Sequence, residues 1–162
     1  INFVKNVRYL DNLNNNEIRI NMQSIGGSWQ AGMTIFDAIS ACKSYITIVA
    51  YGQAESMSGV ILQAADKRLM SPSTHFMAHF GSTDCSGEYL NSQNWAALDK
   101  DNLDLMLNTF AAKCYKTGKF FKEKKYNISK TKSYIKRKMK DGDWYLSSGE
   151  AVYYGFADGI SE

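Results

Sequence analysis

The sequence predicts an α/β layer fold built from crossover units. Three observations carry that reading. Runs rich in β-branched residues, such as Tyr45 to Tyr51, alternate along the chain with segments whose apolar residues recur at three-and-four spacing. Asn, Gly and Ser mark the turns between them. Neither an internal repeat nor a shift in composition breaks the alternation, so residues 1–162 are expected to form a single domain. A domain of this length buries roughly 70% of its unfolded surface, enough for a true core. The chain is 44% hydrophobic and 13% aromatic, which predicts a soluble globular protein rather than a disordered one. No apolar run approaches the ~18 residues that cross a bilayer.

In chain order, Phe3 to Leu13 has helical spacing, Asn14 to Asn16 is a turn, and "EIRINM" from Glu17 alternates as a strand should. The glycine turn "SIGGSWQAG" (Ser24 to Gly32) leads into Met33, Ile35, Phe36, Ala38 and Ile39, the apolar face of a helix reaching about Lys43. "YITIVAY" reads as a buried strand. Val60, Ile61, Ala64 and Ala65 form the apolar face of a helix beginning near Ser56, and "THFMAHF" (Thr74 to Phe80) is another strand. Long helical stretches run from about Ser92 to Tyr115 and from Ser129 to Met139. Ser147 and Glu150 make a capping box, Gly155 is a helix stop, and "FADGI" is a last short strand.

Charge and cysteines narrow the function. The segment from Lys113 to Lys140 holds twelve of the nineteen Lys and Arg residues and one acid, Glu123, so it is about +11 and the rest about −8. Such a stripe could hold nucleic acid by counterion release. Tyr115, Phe120, Phe121, Tyr126, Ile128, Tyr134 and Ile135 are interleaved at packing distance and no nucleic-acid motif accompanies them, so a solvated helical face is the reading adopted. Cys42, Cys85 and Cys114 are odd in number and widely spaced, as reduced thiols of an intracellular protein would be, and neither a metal nor a cofactor is expected. The chain begins at Ile1 with no secretion signal near it, as a truncated start would.

The stretch "VAYGQAESMSGVILQAADK" places Ser56 where a buried strand gives way to a helix. Small neighbours two residues either side, Ala54 and Ser58, leave room for a reactant to approach Oγ, as in a nucleophile elbow. The amide of Met57 follows directly and can stabilise an oxyanion, although a serine here also suits a plain helix N-cap. A nucleophilic serine needs a base, and the two histidines are His75 and His79. Four residues apart on a strand, they lie about 13 Å from one another, too far to share a metal. A carboxylate should orient the imidazole, with Asp141 and Asp143 as candidates.

At this point the residues resemble a known family, the proteolytic subunit of the Clp protease (ClpP), serine peptidases of the ClpP/crotonase fold. "INMQSIGGSWQAGMTIFDAI" is similar to the family's "INSPGGxxxAGxxIYDTM", "GQAESM" to "GQAASMG", "HFMAHF" to "RVMIHQP", and "DWYLSSGEAVYYGFADGI" to "DxFLSAxEAVEYGLVDxI". The resemblance implies repeated β-β-α layers with a helical handle insertion, here about residues 80–128. It implies Ser56 as nucleophile, His79 as base and Asp143 as orienting acid. Gly27 and Met57 match the oxyanion donors, while Gly26, Ser28, Phe80 and Gly81 flank an extended peptide substrate. It further implies a homo-oligomer, a seven-membered ring that can stack in pairs, an AAA+ unfoldase partner, and a place in cytoplasm, plastid stroma or a phage-infected cell.

Departures accompany these matches. Ile25 replaces the family proline, Glu55 an alanine and Ser58 a glycine, and "FGSTDCSGEYLNSQNW" lacks the glycine-rich handle strand that pairs rings. Glu55 is expected to face solvent. Two other classes stay open: a catalytically silent ring subunit, and another member of the wider fold, such as an acyl-CoA hydratase or a signal-peptide-digesting relative.

Overall fold

A computed structural model describes residues 2–81 and 89–161. The elements are, in order, α1 (Asn2–Leu13), β1 (Ile18–Ser24), α2 (Trp29–Ser40), β2 (Ile46–Glu55), α3 (Met57–Leu62), β3 (Lys67–Met70), β4 (His75–Ala78), α4 (Tyr89–Thr117), α5 (Lys119–Glu123), α6 (Ile128–Lys140), β5 (Trp144–Ser147), α7 (Ser148–Tyr154) and β6 (Gly159–Ile160). This is the mixed α/β architecture that the alternating pattern predicts.

β2 organises the sheet. Its first five residues, Ile46 to Ala50, are all buried, as β-branched and small side chains between two layers should be. One edge pairs in parallel with β1, from Ile18 opposite Ile46 to Ser24 opposite Ala54. The other edge is shared: Thr47 to Ala50 pair with β3, and Gln53 to Glu55 pair with β4, both in parallel. β5 then adds antiparallel to β4, and β6 parallel to β3, which closes the order β5-β4-β2-β3-β6. Helices α2 and α3 supply the crossovers that parallel neighbours require.

Several boundaries differ from those the sequence suggests. β2 runs on through the polar Gly52–Glu55, because backbone partners on both edges outweigh side-chain polarity there. α2 starts earlier, at Trp29, where Ser28 accepts the Ala31 amide at 3.4 Å. α3 stops at Leu62, which leaves Ala64 and Ala65 in the turn that follows. β3, β5 and the five-residue α5 are additional elements. β3 is hard to read because Arg68 within it is 1% exposed. Its guanidinium pairs with Asp158 and donates to Gln63 Oε1 at 2.6 Å and to the Gly155 carbonyl at 2.9 Å, so a residue that looks solvent-facing holds β3 to the α7–β6 turn.

The core is strongly aromatic. Phe76 of β4 lies 4.5 Å, centroid to centroid, from Phe156, which in turn lies 5.2 Å from Phe110 of α4. A second group under α6 joins Phe120, Phe121, Tyr134, Tyr154 and Trp144. α6 buries Thr131, Ile135 and Met139, and Lys132 reaches Asp104 of α4 at 3.1 Å. Of the interleaved apolar residues, Tyr115 (42% exposed) and Ile128 (50%) do not pack inward. Cys42 is a half-buried thiol and Cys114 a buried one, both free, while Cys85 and residues 82–88 of the divergent segment lie outside the described residues. The capping box of α7 is complete: Ser147 accepts the Glu150 amide, Glu150 Oε2 accepts the Ser147 amide at 2.9 Å, and Gly155 ends the helix at φ 83°. The Ser147 amide and, second, the Ser147 hydroxyl both donate to Glu150 Oε2 and lower the pKa of its carboxyl from the ordinary value.

Candidate active site

Strand register brings three distant residues to one end of the sheet. β4 and β5 pair antiparallel with Ala78 opposite Trp144, so one further step sets His79 against Asp143. β2 and β4 pair with Glu55 opposite Met77, and the Ser56 amide donates to the Met77 carbonyl at 2.8 Å. The serine therefore leaves β2 beside the histidine that leaves β4.

Ser56 sits at the N-cap position of α3 without making a cap bond. Its backbone has φ 53° and ψ −124°, a conformation in which a side chain is strained by ~1–3 kcal/mol. The turn sends the hydroxyl away from the helix: Oγ lies 2.7 Å from His79 Nε2. An imidazole with its proton on Nδ1 accepts the serine proton there. On the far side, His79 Nδ1 is 3.4 Å from Asp143 Oδ1, longer than the ~2.7–3.2 Å of an N–H···O hydrogen bond but within ion-pair reach. The histidine side chain is 26% exposed and the aspartate 51%. His75 is exposed on β4, opposite Gln53 and Ser147, and Asp141 forms the C-cap of α6.

A cavity of about 470 Å³ opens beside Ser56 and His79. Gly27, Ser28, Met57, Phe80 and Gly81 all border it. Gly27 has φ 147°, and a Cβ there would meet nothing within 4 Å, so the backbone is open to an approaching ligand. Gly26 is different. It does not border the cavity; at φ 98° it presses on the elbow, where a Cβ would lie 2.7 Å from Ser56 Cβ and 3.0 Å from the Met57 nitrogen. Glu55 is half-buried rather than solvent-facing, and its carboxylate accepts from Gln53 Nε2 at 3.4 Å.

The far wall is formed by Trp29 of α2 and by Leu98, Asn102, Leu103 and Met106 of α4. Sequence reasoning did not assign these to the site. Their signal was the three-and-four spacing of the α4 residues, which reads equally well as core packing.

The profile of the Clp protease family matches residues 2–162. The chain belongs to the Clp protease family. Among its Clp protease relatives, the ATP-dependent Clp protease proteolytic subunit of Chlorella vulgaris is 29% identical over 153 residues, 91% of this chain and 67% of that protein. The chloroplastic proteolytic subunit 4 of Arabidopsis thaliana is 29% identical over 146 residues, 89% of this chain and 45% of that one. A ClpP1 point mutant from Listeria monocytogenes superposes with a TM-score of 0.77 at 24% identity, covering 99% of this chain and 82% of that chain, and shares its fold. The matches span 45% and 67% of the length of these two curated relatives. Among the described residues, no helix of this Clp protease family chain is long and apolar enough to cross a membrane.

Proposed function

We propose that the chain is a serine endopeptidase subunit of the ClpP kind. The single observation that carries this reading is the 2.7 Å contact between Ser56 Oγ and His79 Nε2, made by a serine at positive φ that forgoes its helix cap. His79 takes the proton as Ser56 attacks a peptide carbonyl. The amides of Gly27 and Met57 receive the developing oxyanion, and water then releases the acyl-enzyme, with no ATP used in the hydrolysis itself. Asp143 orients the imidazole and stabilises its cationic form. Ser28, Phe80 and Gly81, which border the cavity, flank an extended substrate strand. Gly26 serves the substrate only indirectly, by shaping the elbow.

The proposal extends to assembly: a homo-oligomeric ring of seven, able to stack, that degrades unfolded protein delivered by an AAA+ unfoldase in the cytoplasm, the plastid stroma or a phage-infected cell. Relatives named as proteolytic subunits of ATP-dependent Clp proteases, one of them chloroplastic, support this. The insertion of about residues 80–128 would be the handle between rings.

Labelling with a serine-directed fluorophosphonate tests the chemistry. Wild type should react at Ser56 and cleave an unstructured peptide, and Ser56→Ala should lose labelling and about 10⁶ of turnover. Light scattering tests the ring, which fails if the active species is a monomer. A second reading, a silent ring subunit, is favoured by the 3.4 Å His79–Asp143 separation and the exposure of that carboxylate. A folded, assembled chain that the fluorophosphonate leaves untouched would establish it.

A further inference from the structure

Ser58 carries a hydroxyl that the proposed chemistry does not use. The residue is 1% exposed, and its Oγ lies 2.6 Å from the Glu55 carbonyl and 2.8 Å from the Ser24 carbonyl. The first contact is local, of the sort any serine near a helix start can make. The second is not: it spans 34 positions and ties the first turn of α3 to the end of β1. Glu55 ends β2 immediately before the nucleophile, and Ser24 ends β1 immediately before the loop that carries the two glycines. A hydroxyl has one proton, so the two carbonyls share it and both are drawn toward one point beneath the elbow.

The contacts continue on the β1 side. Ser24 Oγ accepts the Gly26 amide at 3.1 Å, and Gly26 in turn packs so tightly on Ser56 and Met57 that no side chain fits between them. The β1–β2 register shifts between Met22 and Ser24 before Ser24 comes opposite Ala54, so the pairing is irregular at this junction. The Ser58 hydroxyl adds a second tie there, between the strand end that leads to Gly27 and the turn that carries the Met57 amide. The glycine that the family motif "GQAASMG" carries at this position has no atom to make that link.

We infer that Ser58 is a positioning residue: its hydroxyl latches the end of β1 to the end of β2 and so sets the spacing of the two amides assigned to the oxyanion. This rests on the peptidase reading above. Without the proton, two carbonyl oxygens face each other in a buried site, and the loop relaxes outward to relieve them.

The test compares wild type, Ser56→Ala, Ser58→Ala and Ser58→Thr, each with its thermal unfolding curve. Fluorophosphonate acylation and steady-state cleavage of a short peptide are the readouts. Ser58→Ala, which introduces no bulk, should stay folded at the assay temperature and keep KM within about twofold, while kcat and the acylation rate both fall roughly 10-fold to 100-fold, as ångström-scale misplacement does. Ser58→Thr retains the hydroxyl and should recover most of the loss. The latch is overturned if Ser58→Ala acylates and turns over like wild type, if its loss lies in KM alone, if that loss follows the folded fraction, or if Ser58→Thr is equally impaired. If folded wild type shows no labelling that depends on Ser56, the peptidase reading and the latch fall together; wild-type labelling with an unaffected Ser58→Ala removes the latch alone.

Discussion

Ser56, the proposed nucleophile, and Asp143, the proposed orienting carboxylate, are held in very different ways. Ser56 emerges from a strand with a partner on either side, and the residues after it are buried, Met57 at 5% and Ser58 at 1% exposure. Gly26 touches it from below. Asp143 precedes an edge strand, β5, whose one strand partner among the described residues is β4, and it follows Gly142 at φ 129°. What steadies it is its neighbour Trp144, whose indole packs 5.1 Å from Tyr154 and 5.5 Å from Phe156. The Ser56–His79 contact is thus fixed by backbone on both flanks, whereas the His79–Asp143 contact depends on one edge strand and one side chain. The separations run in the same order, 2.7 Å on the serine side of the imidazole and 3.4 Å on the aspartate side.

Substitutions can break or sharpen this contrast. Asp143→Ala should show the largest effect, lowering kcat by roughly 10²–10⁴ while leaving the unfolding midpoint nearly unchanged, since the side chain is half exposed. A kcat equal to wild type would mean the carboxylate does not orient the histidine. Gly26→Ala comes next and should reverse that pattern. The added methyl meets Ser56 Cβ at a backbone φ of 98°, so urea denaturation should report a loss of about 1–3 kcal/mol, accompanied by a turnover loss of about 10²-fold. An unchanged melting curve would show the elbow to be compliant.

The smallest effect belongs to the α7 cap, which anchors the carboxylate side from behind. Ser147→Ala should cost about 1 kcal/mol at neutral pH. The Glu150 carboxyl is lowered by the Ser147 amide first and the Ser147 hydroxyl second. Its stabilisation is complete above the ordinary glutamate range and disappears as the pH drops through the lowered folded-state value. Glu150→Gln should therefore flatten the acid limb of the stability profile, and a curve superimposable on wild type from neutral to acid pH would remove the cap from the account.

Sequence legibility follows the same contrast. The Ser56 side was readable because β2 is rich in β-branched residues and the small–Ser–small pattern sits at its end. The positions of His79 and Asp143 came from resemblance to a family, because the element that aligns them, β5, is four residues of alternating burial directly before a strong capping box. It reads as loop until the register with β4 is seen. β3 was hidden by the burial of Arg68, whose partners Asp158, Gln63 and Gly155 lie in other parts of the fold. Gly26 carries more than the motif tells: the resemblance places it beside the substrate with Gly27, and its backbone angle and neighbours, visible only in the fold, press it against the elbow.

The edge placement of β5 also has a consequence in time. β1 to β4 all lie in the first half of the polypeptide, whereas Asp143 reaches His79 only through the pairing of β5 with β4 across three intervening helices, a long-range closure of the kind that is intrinsically slow. On the proposed peptidase reading, cutting power would accordingly mature late, and a half-folded copy would be poorly equipped to digest its siblings.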